Sequence, residues 1–354
     1  MVVVGSRVRV LVVDDSAYNR RVIADALSLD PEFEVVGRAG DGEDALKQAL
    51  MLRPDVISLD LEMPKMDGFS FLRLLMAKMP TPVIVFSSYA QRENILKALE
   101  LGALDFVPKP DRLGPEHSGH VEELIEKLRL ARSVRPSLIG RNSQRRTSGT
   151  WSLAPPAGDA SDLPTARPES LVAIASSTGG PTALLAVFAR LKRSSRAAFV
   201  IAQHMPDKFT RTFAERLARQ GSVPVSEAQE GDELFAATGF VCPGRHCVEV
   251  RATNSSSLTL RVLAPSSEDR YVPSGDRLFR SVAGAGLPAV GVILSGMGDD
   301  GLDGARAIRD AGGLVICESE ETAAVSGMPQ AVVRAGLASR VSPLPEIADY
   351  LATL

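Results

Sequence analysis

The chain has 354 residues, of which 45% are hydrophobic and 23% charged, and its formal net charge is −3. That length exceeds one ordinary core and suits two domains of roughly 150 residues each. The slightly acidic balance gives no overall basic field, so neither nucleic acid nor an anionic membrane surface is expected as a partner.

The amino terminus, MVVVGSRVRVLVVDD, has no long apolar segment followed by a small-residue cleavage site. No run of ~18 apolar residues follows either, so membrane insertion is not expected. The three cysteines, Cys242, Cys247 and Cys317, are odd in number and form no C-x-x-C pair, which reads as reduced buried thiols. The expectation is a cytoplasmic protein, taken as a monomer.

Residues 8 to 130 alternate apolar runs with helical spacing. Strands are expected at 8–13, 34–39, 55–59, 82–87 and 105–107, with helices at segments such as 42–51, 68–79 and 91–101. This five-fold βα pattern puts Asp14 and Asp15 at the end of the first strand, Asp60 at the end of the third, and Lys109 just past the fifth. All four would meet at the carboxyl edge of one parallel sheet. Carboxylates gathered there repel one another unless a hard cation sits between them, and Mg²⁺ suits oxygen ligands. The arrangement supports phosphoryl transfer onto a carboxylate, with Asp60, alone at its strand end, as the acceptor. A single aspartate here would read as a turn or cap residue, but four residues at matching strand ends outweigh that reading.

The motifs VVDDS, SLDLEMPKMDG, Ser87-Ser88 after PVIVF, and VPKP resemble those of the response-regulator receiver family over about 120 residues. The resemblance implies that Asp60 is the phosphoacceptor, that Asp15, Asp60 and the Glu62 backbone carbonyl bind Mg²⁺ directly, and that Asp14 does so through water. It further implies that the Ser87 hydroxyl follows the phosphoryl group, that Lys109 is its cationic partner, and that Phe106 is the aromatic switch.

Between about Arg132 and Glu169 the chain becomes rich in Ser, Pro, Gly and Arg and loses apolar periodicity, as a linker does. Its arginines read as a solvated run, with an acidic partner as the alternative. Trp151, the single tryptophan, would be wasteful in water unless it docks on a domain. The expected division is a receiver at 6–130, a flexible linker at 131–169 and a catalytic domain at 170–354.

From Leu171 the alternation resumes. Strands are expected at 171–175, 199–203, 289–294 and 314–317, and helices at 181–192, 207–219, 274–283, 302–310 and 329–335. Phe209, Phe213 and Leu217 fall on one helical stripe. The short β-prone runs 239–241, 246–251 and 258–262, separated by Pro-Gly or Asn-Ser turns, suggest an antiparallel insertion. The fold class is therefore α/β in two domains: a flavodoxin-like (βα)5 unit, and a doubly wound parallel sheet with a small antiparallel insertion.

Three loops of the second half follow apolar runs: Ala175-Ser-Ser-Thr-Gly-Gly-Pro181, Gln203-His-Met-Pro206 and Ser295-Gly-Met-Gly-Asp-Asp-Gly301. They bring a hydroxyl, an imidazole and a carboxylate to strand ends, the set a serine hydrolase needs, and chain order does not matter to such a triad. Spacing does not choose between Ser176 and Ser177. Taken alone, STGGP could cradle a phosphate, His204 could be structural and GMGDDG a surface turn. His246 is a competing base, but it lies in the β-insertion; His117 and His120 read as solvated.

AIASSTGGP, QHMPDKFTRTFAERL, PGRHCVEV, VPSGDRLFRSV, VILSGMGDDG and SGMPQAV resemble the CheB methylesterase catalytic domain family across residues 170 to 350. That family usually has Gly-Ala where this chain has Ala175-Ser176, and commonly Ser-Val-Asp where it has Ser274-Gly275-Asp276. The resemblance makes Ser177 the nucleophile, His204 the base and Asp300 its orienter, with no cofactor in this half. Backbone groups near Thr178 and Met297 are the expected oxyanion donors. It implies hydrolysis of glutamate γ-methyl esters on methylated chemoreceptors, deamidation of receptor glutamines, and phosphorylation of Asp60 by the histidine kinase CheA. Domain order and the long linker suggest that the unphosphorylated receiver restrains the hydrolase. The rival readings are a phosphorylation-controlled binding module without turnover, and the same chemistry on a protein outside chemotaxis.

Overall fold

The computed structural model describes residues 7–88, 92–110, 118–132, 134, 165–253 and 257–354. The chain divides into two compact units, 1–150 and 151–354. Trp151, His117 and most of the expected linker lie outside the described residues.

In the first unit the strands β1 (Val8–Val13), β2 (Phe33–Ala39), β3 (Val56–Leu59), β4 (Val83–Ser88) and β5 (Asp105–Lys109) alternate with helices. These are α1 (Ala17–Ser28), α2 (Gly42–Leu52), α3 (Gly68–Lys78), α4 (Arg92–Glu100) and α5 (Ser118–Ala131). Polar side chains fix where helices start: Ser16 accepts the Asn19 N–H, Asp41 the Asp44 N–H and Asp67 the Ser70 N–H. Among the described residues the strands form one parallel sheet in the order β2-β1-β3-β4-β5. From β1 the chain moves outward to β2 and then back across to β3. The carboxyl ends of β1 and β3 therefore flank the switch point where an open α/β sheet forms its crevice.

The second unit repeats the principle with β6 (Ser170–Ser176), β7 (Ala197–Gln203), β8 (Val225–Glu227), β9 (Thr238–Val241), β12 (Ala289–Ile293), β13 (Leu314–Glu318) and β14 (Arg340–Ser342). All pair in parallel in the order β14-β13-β12-β6-β7-β9-β8. Here the order reverses between β6 and β12. β10 (Cys247–Ala252) and β11 (Leu258–Leu263) form a separate antiparallel pair. The helices are α6 (Gly180–Phe188), α7 (Asp207–Gln220), α8 (Gly275–Ala283), α9 (Leu302–Asp310), α10 (Gly327–Arg334) and α11 (Leu344–Leu351).

One sequence expectation is corrected. Residues 239–241 belong not to the antiparallel insertion but to the main sheet, where β9 pairs in parallel with β7 through Ala198↔Thr238 to Ile201↔Val241. All four residues of β9 are buried, as a strand covered on both faces requires. β8, β14 and α11 were not anticipated. The end of the expected linker already belongs to this unit, since Ala236 N–H donates to the Ala166 carbonyl and Glu169 N–H to that of Arg196.

The core lies on both faces of the second sheet. Phe188 meets Phe199 edge to face at 5.9 Å. The predicted stripe of Phe209, Phe213 and Leu217 is buried, and so are the three cysteines.

Candidate active site and acidic centre

At the first unit's switch point, Asp14 and Asp60 are buried and Asp15 is exposed, and one carboxylate oxygen from each lies within 4.8 Å of the others. Lys109, from the end of β5, places Nζ 2.6 Å from Asp60 Oδ2 and 2.7 Å from Asp14 Oδ2. Asp60 Oδ1 accepts the Leu61 N–H at 2.7 Å and the Ser87 hydroxyl at 3.2 Å. Asp14 Oδ1 accepts the Ser16 N–H and the Asn19 amide, whereas Asp14 Oδ2 has a charged neighbour but no donor in hydrogen-bond alignment.

Burial, and after it the Asp60 charge, raise the Asp14 carboxyl above the usual carboxylate range against the pull of Lys109. Burial also works against the Lys109 charge, but Asp60 and Asp14 outweigh it and hold that ammonium above its usual value. A buried, crowded carboxylate with one unaligned oxygen, beside an exposed carboxylate, fits a hard divalent cation. Glu62, with its N–H 3.5 Å from Asp60 Oδ1, lies on the same loop. Phe106 is buried on β5, and its carbonyl accepts the Lys127 ammonium at 2.8 Å.

In the second unit, strand register brings Ser177 and His204 to neighbouring strand ends. Ser176 and Gln203 are partners at the ends of β6 and β7, so Ser177 and His204 are the next residue beyond each. His204 N–H donates to the Ser176 carbonyl at 3.0 Å, and the Gln203 amide donates to the Ser177 and His204 carbonyls at 3.0 and 2.9 Å. Ser177 is partly exposed. Of the two candidate serines, Ser176 is fully buried and its hydroxyl donates to Gln203 Oε1 at 2.7 Å.

Asp300 Oδ2 lies 2.8 Å from His204 Nε2. The carboxylate is 1% exposed and accepts the Gly275 and Asp276 N–H groups, at 2.7 and 3.0 Å, from the first turn of α8. That helix end favours a negative charge. His246 is exposed in the turn before β10, where its N–H donates to the Pro243 carbonyl.

Gly179, at φ 79°, turns the chain from β6 into α6. Gly296 lies so close to the Ser177 loop that a Cβ there would stand 2.9 Å from Ser177 N. Among the described residues, no acceptor is recorded for the N–H of Thr178 or Met297. Tyr271 was missed by sequence reasoning. Its ring stacks on His204 with centroids 5.2 Å apart and planes 8° apart, and its hydroxyl donates to Asp299 Oδ1 at 3.0 Å. A cleft of about 830 Å³ opens beside Asp300, lined by Tyr271, Arg270 and Arg277 among others.

A receiver-like acidic centre in one unit and a Ser/His/Asp crevice in the other define a two-domain regulator whose second domain is an α/β hydrolase. The comparisons agree. Residues 10–114 match the response regulator receiver domain and residues 172–351 match the CheB methylesterase family. The chain is 45% identical to the protein-glutamate methylesterase/protein-glutamine glutaminase 1 of Myxococcus xanthus, over 98% of this chain and 97% of that one. It is 47% identical to the corresponding protein 6 of Anaeromyxobacter dehalogenans, over 93% and 90%. The crystal structure of the Thermotoga maritima CheB methylesterase catalytic domain superposes with TM-score 0.50 at 32% identity, covering 52% of this chain and 97% of that one. The chain belongs to the CheB methylesterase family, in its form with an amino-terminal receiver.

Proposed function

We propose that this protein hydrolyses glutamate γ-methyl esters on methylated chemoreceptors, deamidates receptor glutamines by the same route, and is switched by phosphorylation of Asp60. The observation that carries the reading is the approach of Asp300 to His204 Nε2 at 2.8 Å, beside Ser177 at the β6/β12 switch point. With Nε2 committed to Asp300, Nδ1 is the nitrogen left to take the Ser177 proton.

Ser177 Oγ attacks the ester carbonyl while His204 Nδ1 accepts its proton, and Asp300 steadies the imidazolium. The oxyanion faces the N–H groups of Thr178 and Met297, a kind of contact worth about 10²–10³ in rate per donor. The intermediate collapses, methanol leaves with the proton from His204, and an acyl-enzyme remains. Water, deprotonated by His204, then releases glutamate and restores Ser177. With a glutamine substrate the leaving group is ammonia.

In the receiver, Asp60 accepts the phosphoryl group from the histidine kinase CheA. Asp15, Asp60 and the Glu62 carbonyl, with Asp14 through water, would hold Mg²⁺, which would neutralise charge on the transferring group. Lys109, now against Asp60 Oδ2, is placed to pair with the added phosphoryl oxygens, and Ser87 to follow them, with Phe106 as the switch residue. This substrate and this kinase place the protein in the cytoplasm; among the described residues no helix is long and apolar enough to cross a membrane.

The test is methanol release from a radiolabelled methylated receptor fragment, with and without a small phosphodonor and Mg²⁺. The expected result is donor-stimulated release that falls by roughly 10⁴-fold in Ser177→Ala. Stable phosphorylation of Asp60 with no release would favour a non-catalytic binding module.

A further inference from the structure

Beneath the nucleophile loop lies a buried carboxyl group that the chemistry above does not use. Glu318 ends β13, the neighbour of β12, and is 2% exposed. Its Oε2 accepts the Ser295 N–H at 2.8 Å, while its equally buried Oε1 has no partner in hydrogen-bond alignment.

The hydroxyl and the carbonyl of Ser295 both reach the Ser177 loop. Its hydroxyl donates to the Thr178 carbonyl at 2.7 Å and accepts the Val325 N–H at 3.0 Å. Its carbonyl accepts the Ser177 N–H at 3.0 Å. The backbones of Ser177 and Thr178 therefore both rest on Ser295, and Ser295 rests on Glu318. We propose that Glu318 is a positioning residue of the hydrolase, which acts through Ser295 to hold the nucleophile and the adjacent N–H donor in their reactive placement.

An apolar side chain at 318 would leave the Ser295 N–H buried and unpaired, a cost the loop would relieve by moving. Burial acts most strongly on the Glu318 carboxyl and lifts it to about 7, against the Ser295 N–H and the Thr322 hydroxyl; no charged group of the described residues figures among these influences. Loss of its proton turns the bond to Ser295 into a charge-assisted one, which tightens the hold.

The inference rests on the esterase reading, and the test separates the two. In the full-length, phosphodonor-activated chain, kcat and KM are measured across roughly pH 6–9 for wild type, Glu318→Leu, Glu318→Gln and Ser295→Ala, with amide exchange followed over residues 176–180. Glu318→Leu should lower kcat at least ~10-fold while KM stays within about twofold, and should speed exchange in that segment. Glu318→Gln keeps an acceptor oxygen, so it should recover most of the loss, while its kcat profile loses one ionisation near neutrality. Should Glu318→Leu fail to fold, Ser295→Ala carries the same test, because it cuts only the hydroxyl links to Thr178 and Val325 and should also lower kcat. Wild-type turnover with all three variants indistinguishable from it would overturn the inference. The predicted exchange differences with no methanol from any form would support the positioning role and sink the esterase reading.

Discussion

Lys109 neutralises a pair of carboxylates that would otherwise repel. Its ammonium is within 2.7 Å of both Asp14 and Asp60, and all three side chains are nearly buried. Removing one member of such a cluster leaves uncompensated buried charge, which costs about 3–5 kcal/mol. The same removal takes away a positive charge that competes with a divalent cation for these oxygens. Lys109→Met should therefore lower the receiver's unfolding midpoint without divalent ions and recover it with Mg²⁺, and should bind Mg²⁺ several-fold more tightly than wild type. Thermal denaturation with and without Mg²⁺, together with calorimetric titration, checks both; weaker Mg²⁺ binding would contradict the competition. Because Asp14 is held above the usual range, mainly by burial, a cation that needs its carboxylate form should bind better as pH rises through its titration.

Elements position these residues, and one contact between elements links two of the positions at which the resemblance to the family departs, Ala175 and Gly275. A Cβ on Gly275 would lie 2.7 Å from Ala175 Cβ and 3.0 Å from Asp300 Oδ2. The alanine on β6 and the glycine at the start of α8 are thus matched in size, where the family usually has a glycine and a valine. Gly275→Val alone should push the first turn of α8 off Asp300 and lower kcat by about tenfold or more, with about 1–3 kcal/mol of lost stability. Ala175→Gly with Gly275→Val should regain much of both, a non-additivity that a double-mutant cycle measures. Two additive losses would rule the matched contact out.

What the sequence made legible follows from the same scale. Ser177, His204, Asp300, Asp14, Asp15, Asp60 and Lys109 each follow an apolar run, so their place at a sheet's carboxyl edge could be read from local pattern. β8 and β14, three residues each, are too short to display a period. β9 has a recognisable strand composition, but its partner β7 lies more than thirty residues earlier, and pairing over that distance leaves no local mark. Glu318 likewise follows an apolar run; its meaning depends on β13 lying beside β12, which only the sheet order gives. Tyr271 lies in a loop whose path over His204 has no sequence signal.

At the scale of the whole molecule, two parallel sheets use one rule: each gathers its polar groups where the strand order reverses, at β1/β3 and at β6/β12. The polar groups buried there have a stability consequence that can be separated from activity. Glu318 titrates near 7 in the folded chain, against an ordinary value of 4.5, mainly because burial disfavours its charge. Its folded value is the higher one, so the native state binds the proton more tightly. The resulting stabilisation is fully present below about pH 4.5 and is lost as pH rises through about 7. A shift of this size corresponds to about 3 kcal/mol. Glu318→Gln carries no such proton, so the stability of its second unit relative to wild type should rise by up to that amount between about pH 4.5 and 8. Denaturant unfolding of the two proteins across this range, following the transition of the second unit, checks the claim. Parallel pH dependences would mean that the Glu318 carboxyl stays ionised in the fold, with the Ser295 N–H and the Thr322 hydroxyl sufficient to hold its charge.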